Sequence, residues 1–255
     1  MVFDVPVILP EGWSLIRREA VSSTNAELQI LADGGAEEGT VLWALRQTAG
    51  RARRDRLWES VEGNLFCSIL VRPRHGLSCA GLLSFLSAVA VAEALEAVVP
   101  GLTTVCKWPN DVLGSKGKLS GILLESCDVQ GSLPTAVVVG IGINVVWHPG
   151  KGALFPASSL AEEGGSVALA GLLEALAARF AAWLSRLRAE GFAPLRQAWL
   201  ARAKGLGSQI TVRLPDETLT GIFESLDEDG ALVLSEPGGE TRLIRAGDVF
   251  FGIPT

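Results

Sequence analysis

Lys107-Trp108-Pro109-Asn110-Asp111, followed after a short interval by Lys118-Leu119-Ser120-Gly121, is the stretch on which the reading of this chain turns. Pro109 fixes a tight bend, Asn110 and Asp111 bring side-chain oxygens to it, and Lys118 adds a compact positive charge. Residues 105–108 and 120–124 read as paired short strands joined by the turn Gly114-Ser115-Lys116-Gly117-Lys118. Alone, Asn-Asp after proline is only a turn signal. Its company along the chain gives it weight.

Upstream, Gly50-Arg51-Ala52-Arg53-Arg54-Asp55-Arg56 gathers four arginines, with Trp58 just beyond. A guanidinium presents a rigid fork of donors that matches carboxylate and phosphate oxygens. The chain as a whole has a net charge of −6, so these arginines are not part of a basic coat. An isolated arginine run also fits a solvated loop. Here residues 40–45 and 64–71 read as strands, so a sheet supports the loop at both ends.

Two further segments complete the set. Ser22-Ser23-Thr24-Asn25 opens a helix whose apolar period covers residues 26–32 before Gly34-Gly35. Thr24 and Glu27 have capping-box spacing, and the backbone N–H groups there suit either a plain cap or a polar ligand. Gly140-Ile141-Gly142-Ile143-Asn144 lies in a Val/Ile/Gly run over residues 136–146, the pattern of a central strand buried on both faces. Two glycines weaken such a strand, and close approach of a ligand is one reason to keep them. The run lacks the G-x-G-x-x-G turn of a dinucleotide site.

Helices are predicted over residues 78–98, 167–189 and 194–203. The uncharged run over residues 76–92 falls short of the roughly 20 residues a membrane span needs, and it reads as a buried helix. After Gly205-Leu206-Gly207 the pattern turns to short alternating strands around Pro215-Asp216, residues 227–230 and Pro237-Gly238-Gly239, as in a small β-barrel packed on its neighbour. With 48% hydrophobic residues the chain can bury a full core. The acidic balance argues against a general nucleic-acid binder. Cys67, Cys79, Cys106 and Cys127 form no ligand pattern, so no metal site is expected, and reduced thiols fit a cytoplasmic protein. No basic-then-apolar leader opens the sequence. His75 and His148 stand apart beside Gly or Pro and are not expected to act in chemistry.

Taken in order, Ser-Thr-Asn, Gly-Arg-x-Arg-Arg-x-Arg-x-Trp, Gly-Asn-Leu-Phe at 63–66, Lys-Trp-Pro-Asn-Asp, Lys-Leu-Ser-Gly and Gly-Ile-Gly-Ile-Asn resemble the biotin–protein ligases over the whole chain. The fold this resemblance implies is α+β: a biotin/lipoate ligase catalytic domain with a mixed sheet and flanking helices over residues 1–205, then an SH3-like barrel over residues 206–255. It also implies the ligase-only class, without a DNA-binding module. Such enzymes join biotin to ATP with Mg²⁺, giving biotinyl-5′-AMP, and pass the biotinyl group to a lysine of a biotin carboxyl carrier domain.

By resemblance, Ser23, Thr24, Asn25, Gln47, Gly50, Arg51 and Gly121 bind biotin. Arg54, Arg56, Trp58, Asn110 and Asn144 serve the nucleotide. Arg53 and Lys118 are catalytic, meeting carboxylate and phosphate, and Asp111 orients or deprotonates the incoming lysine. Two positions depart from the family loop, Gly-Arg-Gly-Arg-Arg-Gly-Arg: its second and third glycines are Ala52 and Asp55 here. Fewer backbone conformations and an added carboxylate imply a stiffer, partly self-neutralised loop. A lipoate or octanoate ligase on the same fold is the near alternative, but its Arg-Arg-x-x-Gly-Gly-Gly loop is absent. A non-catalytic adenylate-binding regulator is a second. DNA and membrane are not expected partners, and a homodimer is left open.

Overall fold

The computed structural model describes residues 5–54, 56–72, 77–130, 133–150 and 155–251, by backbone alone at 77–79, 128–130 and 133–135. His75 and Asp55 lie outside the described residues. One sheet contains β1 (Ser14–Val21), β2 (Thr40–Gln47), β3 (Leu65–Val71), β4 (Val105–Lys107), β5 (Asp111–Leu113), β6 (Lys118–Gln130) and β7 (Leu133–Ile143). Its order is β1-β2-β3-β7-β6-β5-β4. Only β1 and β2 run parallel, so the sheet is mixed.

Alternate residues of this sheet enter two separate cores. Val41, Trp43, Cys67, Ile69, Val139 and Ile141 face α2 (Leu77–Val98) and α3 (Leu169–Glu190). Leu42, Ala44, Leu70 and Val138 face Leu28 and Ala32 of α1 (Thr24–Asp33). Cover on both faces explains the near-continuous apolar runs of β2, β3 and β7. The ten residues of α1 are too few to hide its whole face. Beyond its N-terminal end, the Gly-bearing part of β6 and β7 is left for the cleft described below.

Several expectations need correction. The capping box at Thr24 is not formed: the helix is capped one residue earlier at Ser23, without a side-chain cap bond. Glu27 pairs with Arg18 of β1 instead. Residues 105–108 and 120–124 do not pair directly, because β5 lies between them, bonded to both. A three-residue strand beside a proline turn has too little alternation to register in sequence. β1 was missed for a related reason: Arg17, Arg18 and Glu19 interrupt its apolar pattern at the sheet edge. Within α2, Ala80–Val98 is long and apolar enough to cross a membrane by length and composition, and 67% of its most apolar window is buried inside the protein.

The second sheet comprises β8 (Gln209–Arg213), β9 (Thr218–Leu226), β10 (Leu232–Ser235), β11 (Thr241–Ile244) and β12 (Asp248–Phe251). It is antiparallel throughout, ordered β11-β10-β9-β8-β12. This small C-terminal barrel is fastened through α4 (Phe192–Leu200). Arg196 donates to the Leu226 carbonyl at 2.7 Å and to Ser225 Oγ at 2.8 Å. The fully buried Trp199 ring lies 5.4 Å from Phe85 of α2 and 6.4 Å from Phe223 of β9. Trp108 Nε1 adds a bond to the Gly230 carbonyl at 3.3 Å. Replacing Trp199 by alanine removes the joint between α2 and the barrel, and chemical denaturation should show a loss of about 3–5 kcal/mol.

Candidate functional site

A cleft of about 510 Å³ opens over the uncovered part of the sheet. Gly121 of β6 and Gly142 of β7 are directly paired and form its floor. The Trp58 indole lies on both: a Cβ on Gly142 would stand 2.6 Å from the ring, and one on Gly121 2.7 Å. A Cβ on Gly140 would strike the Asn25 side chain. Close approach does explain these glycines, but here the approaching groups are the protein's own Trp58 and Asn25.

Asp111 is the electrostatic centre. It begins β5, is buried, and lies 2.6 Å from Lys118 Nζ and 3.6 Å from Lys107 Nζ. Burial works against its charge, but Lys118, Lys107 and Arg53 outweigh that and hold its carboxyl below the usual range. Lys107 is itself buried, with its ammonium 3.4 Å from the centre of the Phe155 ring. Burial pushes its pKa down to about 8, against the pull of Asp111. Asn110 donates to the Ile122 carbonyl at 2.7 Å and accepts from Arg53 at 3.3 Å. The Trp108–Pro109 peptide is cis.

The arginines separate. Arg53 and Arg56 line the cleft, and burial lowers the Arg53 pKa while Asp248 and Asp111 raise it. Arg51 also lines it and pairs with Glu125 at 3.1 Å. Arg54 turns to Asp248 of the barrel at 2.6 Å. Backbone bonds from Ala52 to Arg56 at 2.7 Å and from Trp58 to Gly50 at 2.9 Å close the loop. Ala52 needs no left-handed backbone; among the described residues Arg54 is the one non-glycine with positive φ, at 56°.

At the opposite end, Thr24 donates through N and Oγ1 to Gln47 Oε1, at 2.8 and 3.1 Å. Gln47 Nε2 donates to Ser60 Oγ at 3.0 Å. Asn25 accepts from Ser68 at 2.6 Å and donates to Glu125 at 2.7 Å. Asn144 lines the cleft, but its amide ties together the Lys118 and Ser158 carbonyls. Of the residues singled out in sequence, the cleft brings together Ser23, Thr24, Asn25, Gln47, Arg51, Arg53, Arg56, Trp58, Asn110, Asp111, Lys118, Gly121 and Asn144. Gly50 and Arg54 stand behind its wall. His148 pairs with Glu162 at 3.0 Å, and Cys67 and Cys106 are buried thiols pushed up to about 12.

Residues 18–144 match the biotin/lipoate A/B protein ligase family, and residues 205–252 match the biotin protein ligase C-terminal domain. A biotin–[acetyl-CoA-carboxylase] ligase of Paracoccus denitrificans is 44% identical, over 90% of this chain and 97% of that protein. The chain belongs to the biotin protein ligase family. A bifunctional ligase/repressor of Bacillus subtilis is 34% identical over 92% of this chain and 73% of its own length. Among solved structures, the biotin protein ligase of Aquifex aeolicus in complex with biotin and ATP superposes with a TM-score of 0.80. It is 29% identical and covers 93% of this chain and 97% of its own.

Among the lining residues of this biotin ligase family member, Lys107, Phe155 and Asp248 had no assignment in sequence. Lys107 was visible as the first letter of its motif. Phe155 carried no signal, and Asp248 had none beyond a lone acid between glycine and apolar residues. Ser60 and Glu125 escaped similarly, though they hold Gln47 and Arg51. Because Lys107 loses its proton near pH 8, the cleft becomes one charge less positive above that pH. Pyrophosphate binding, followed by calorimetry, should weaken as pH rises through about 8. A Lys107→Arg variant, charged to far higher pH, should lose that dependence.

Proposed function

We propose that this protein is an ATP-dependent biotin–[biotin carboxyl carrier protein] ligase. Asp111, clamped between Lys118 and Lys107 and facing Arg53 across one cleft, is the observation that supports it most strongly. Joining a carboxylate to a triphosphate brings two anions together, and this cleft places cations where that repulsion arises. The biotin carboxylate oxygen attacks the α-phosphorus of ATP, the bond to the β-phosphate bridge breaks, and pyrophosphate departs. In the second step the acceptor amine attacks the acyl carbon of biotinyl-5′-AMP, AMP leaves and the amine gives up a proton.

Lys118 and Arg53 face the reacting carboxylate and phosphate in this reading. Ser23, Thr24, Asn25 and Gln47 form the pocket for the ureido ring, with Gly50 and Arg51 contributing through the loop and Gly121 giving clearance. Trp58 packs over the adenylate, and Arg54, Arg56, Asn110 and Asn144 serve the nucleotide side. The bonds of Arg54 and Asn144 favour support of that side over direct contact for these two. Magnesium, if carried on the triphosphate, would offset part of its charge beside Arg53 and Lys118. We also propose residues 1–205 as the catalytic unit, residues 206–255 as the barrel domain, and a cytoplasmic location.

For Asp111 the geometry favours orientation over proton abstraction. A carboxylate held below its ordinary range is a weak acceptor, and its partners need its charge. Since the acyl-adenylate is already activated, proximity supplies much of the rate. Incubating the protein with biotin, Mg-ATP and a carrier domain, with lipoate as competitor, should add one biotinyl mass to one acceptor lysine. No mass gain, or a lipoyl adduct, contradicts the proposal. Asp111→Asn should slow transfer from preformed biotinyl-AMP by about tenfold or more; an unchanged rate removes Asp111 from that step. Biotinyl-AMP release should quicken in an Ala52→Gly/Asp55→Gly variant if the present loop is the stiffer one, and equal rates would reject that reading.

A further inference from the structure

The arginine loop carries three neighbouring cations that repel one another: after burial, Arg54 and Arg56 also act to lower the Arg53 pKa, against Asp248 and Asp111. The barrel answers with one anion. Asp248, at the first position of β12 and with its side chain 10% exposed, lies 2.6 Å from Arg54 Nη1 and 3.5 Å from Arg56 Nη2. The preceding Gly247 carbonyl accepts a bond from Arg53 at 3.4 Å. So one end of one barrel strand touches three loop arginines in turn.

Two features separate this contact from ordinary domain packing. First, the barrel is already docked elsewhere, through Trp199, Arg196 and the Trp108–Gly230 bond, none of which involves Asp248. Second, Arg54 holds a φ of 56°, a left-handed conformation that a long side chain adopts only when something holds it there. The short bond to Asp248 supplies that hold. With Arg54 turned outward, its neighbours Arg53 and Arg56 are the ones left facing the cleft.

We propose that Asp248 is a positioning residue for nucleotide activation, through which the C-terminal barrel fixes the arginine loop in the shape that directs Arg53 and Arg56 at a triphosphate. It rests on the adenylating reading of the cleft, and it acts through the arginines without touching the reacting atoms. The barrel thereby becomes part of the active site. A charge pair bridging two domains, one member half-exposed, is strong enough to set a loop conformation and too weak to hold the domains together.

The test compares wild type with Asp248→Asn, Asp248→Glu and the reversed pair Arg54→Asp/Asp248→Arg. Hydrogen exchange in the ligand-free protein reads the loop directly, at the Ala52 and Trp58 amides that close it. In Asp248→Asn these amides should exchange about tenfold faster while strands β8 to β10 keep their protection, and the KM for ATP should rise by about tenfold with less than about a twofold change for biotin. Transfer from preformed biotinyl-AMP should be unaltered. Asp248→Glu should recover most of the loop protection, and the reversed pair should recover part of it. Unchanged loop exchange in Asp248→Asn overturns the proposal. Equal loosening of loop and barrel, or KM values for biotin and ATP rising together, overturns it too, in favour of plain domain docking. If the wild type makes no biotinyl-AMP, the adenylating reading fails by itself, while loop exchange still reports on the latch.

Discussion

The buried Asp111 carboxylate is the charge around which the rest of the site is arranged. Left alone it would be costly and would take up a proton. It stays ionised because Lys118 closes on one oxygen and Lys107 stands by the other. Those two lysines come from the ends of different strands, so the pairs also fix how β4, β5 and β6 meet at the cleft. Removing either partner from such a group leaves an uncompensated charge in the interior, at a cost of several kcal/mol. The arrangement is therefore stable only as a set, and the set has a cationic face toward the cleft.

Glycine provides the room in which that face works. Gly121 and Gly142, paired across β6 and β7, remove the side chains that would otherwise fill the floor, and Trp58 comes down onto the gap. α1 covers its own part of the same sheet face and stops short of this one. The opposite face is packed against α2 and α3. Cleft and core thus divide one sheet by the alternation of its side chains.

How much of this could be read beforehand depended on the range of each interaction. Asp111 and Lys118 were legible as site residues because they lie in neighbouring motifs, though their pairing was not, and the helices and central strands followed from period. The Gly142 position was legible as an anomaly, though what approaches it was not. β1 and β5 escaped because an edge strand with adjacent charges and a three-residue strand give almost no pattern. Asp248 was invisible for another reason: it reaches the arginine loop from nearly two hundred residues away, and nothing local marks it. Arg54 and Asn144 were assigned to the nucleotide by their motifs, while their bonds reveal supporting work. Motif membership located the site and left the division of labour within it to three dimensions.

The central claim is that this cleft joins a biotin carboxylate to the α-phosphate of ATP, using the cations gathered around Asp111. Exchange of labelled pyrophosphate into ATP reads that step without any acceptor protein. The account predicts exchange that depends on biotin, is not supported by lipoate, and falls at least about a hundredfold in Lys118→Met. Exchange supported equally by lipoate, or undiminished without Lys118, would contradict it.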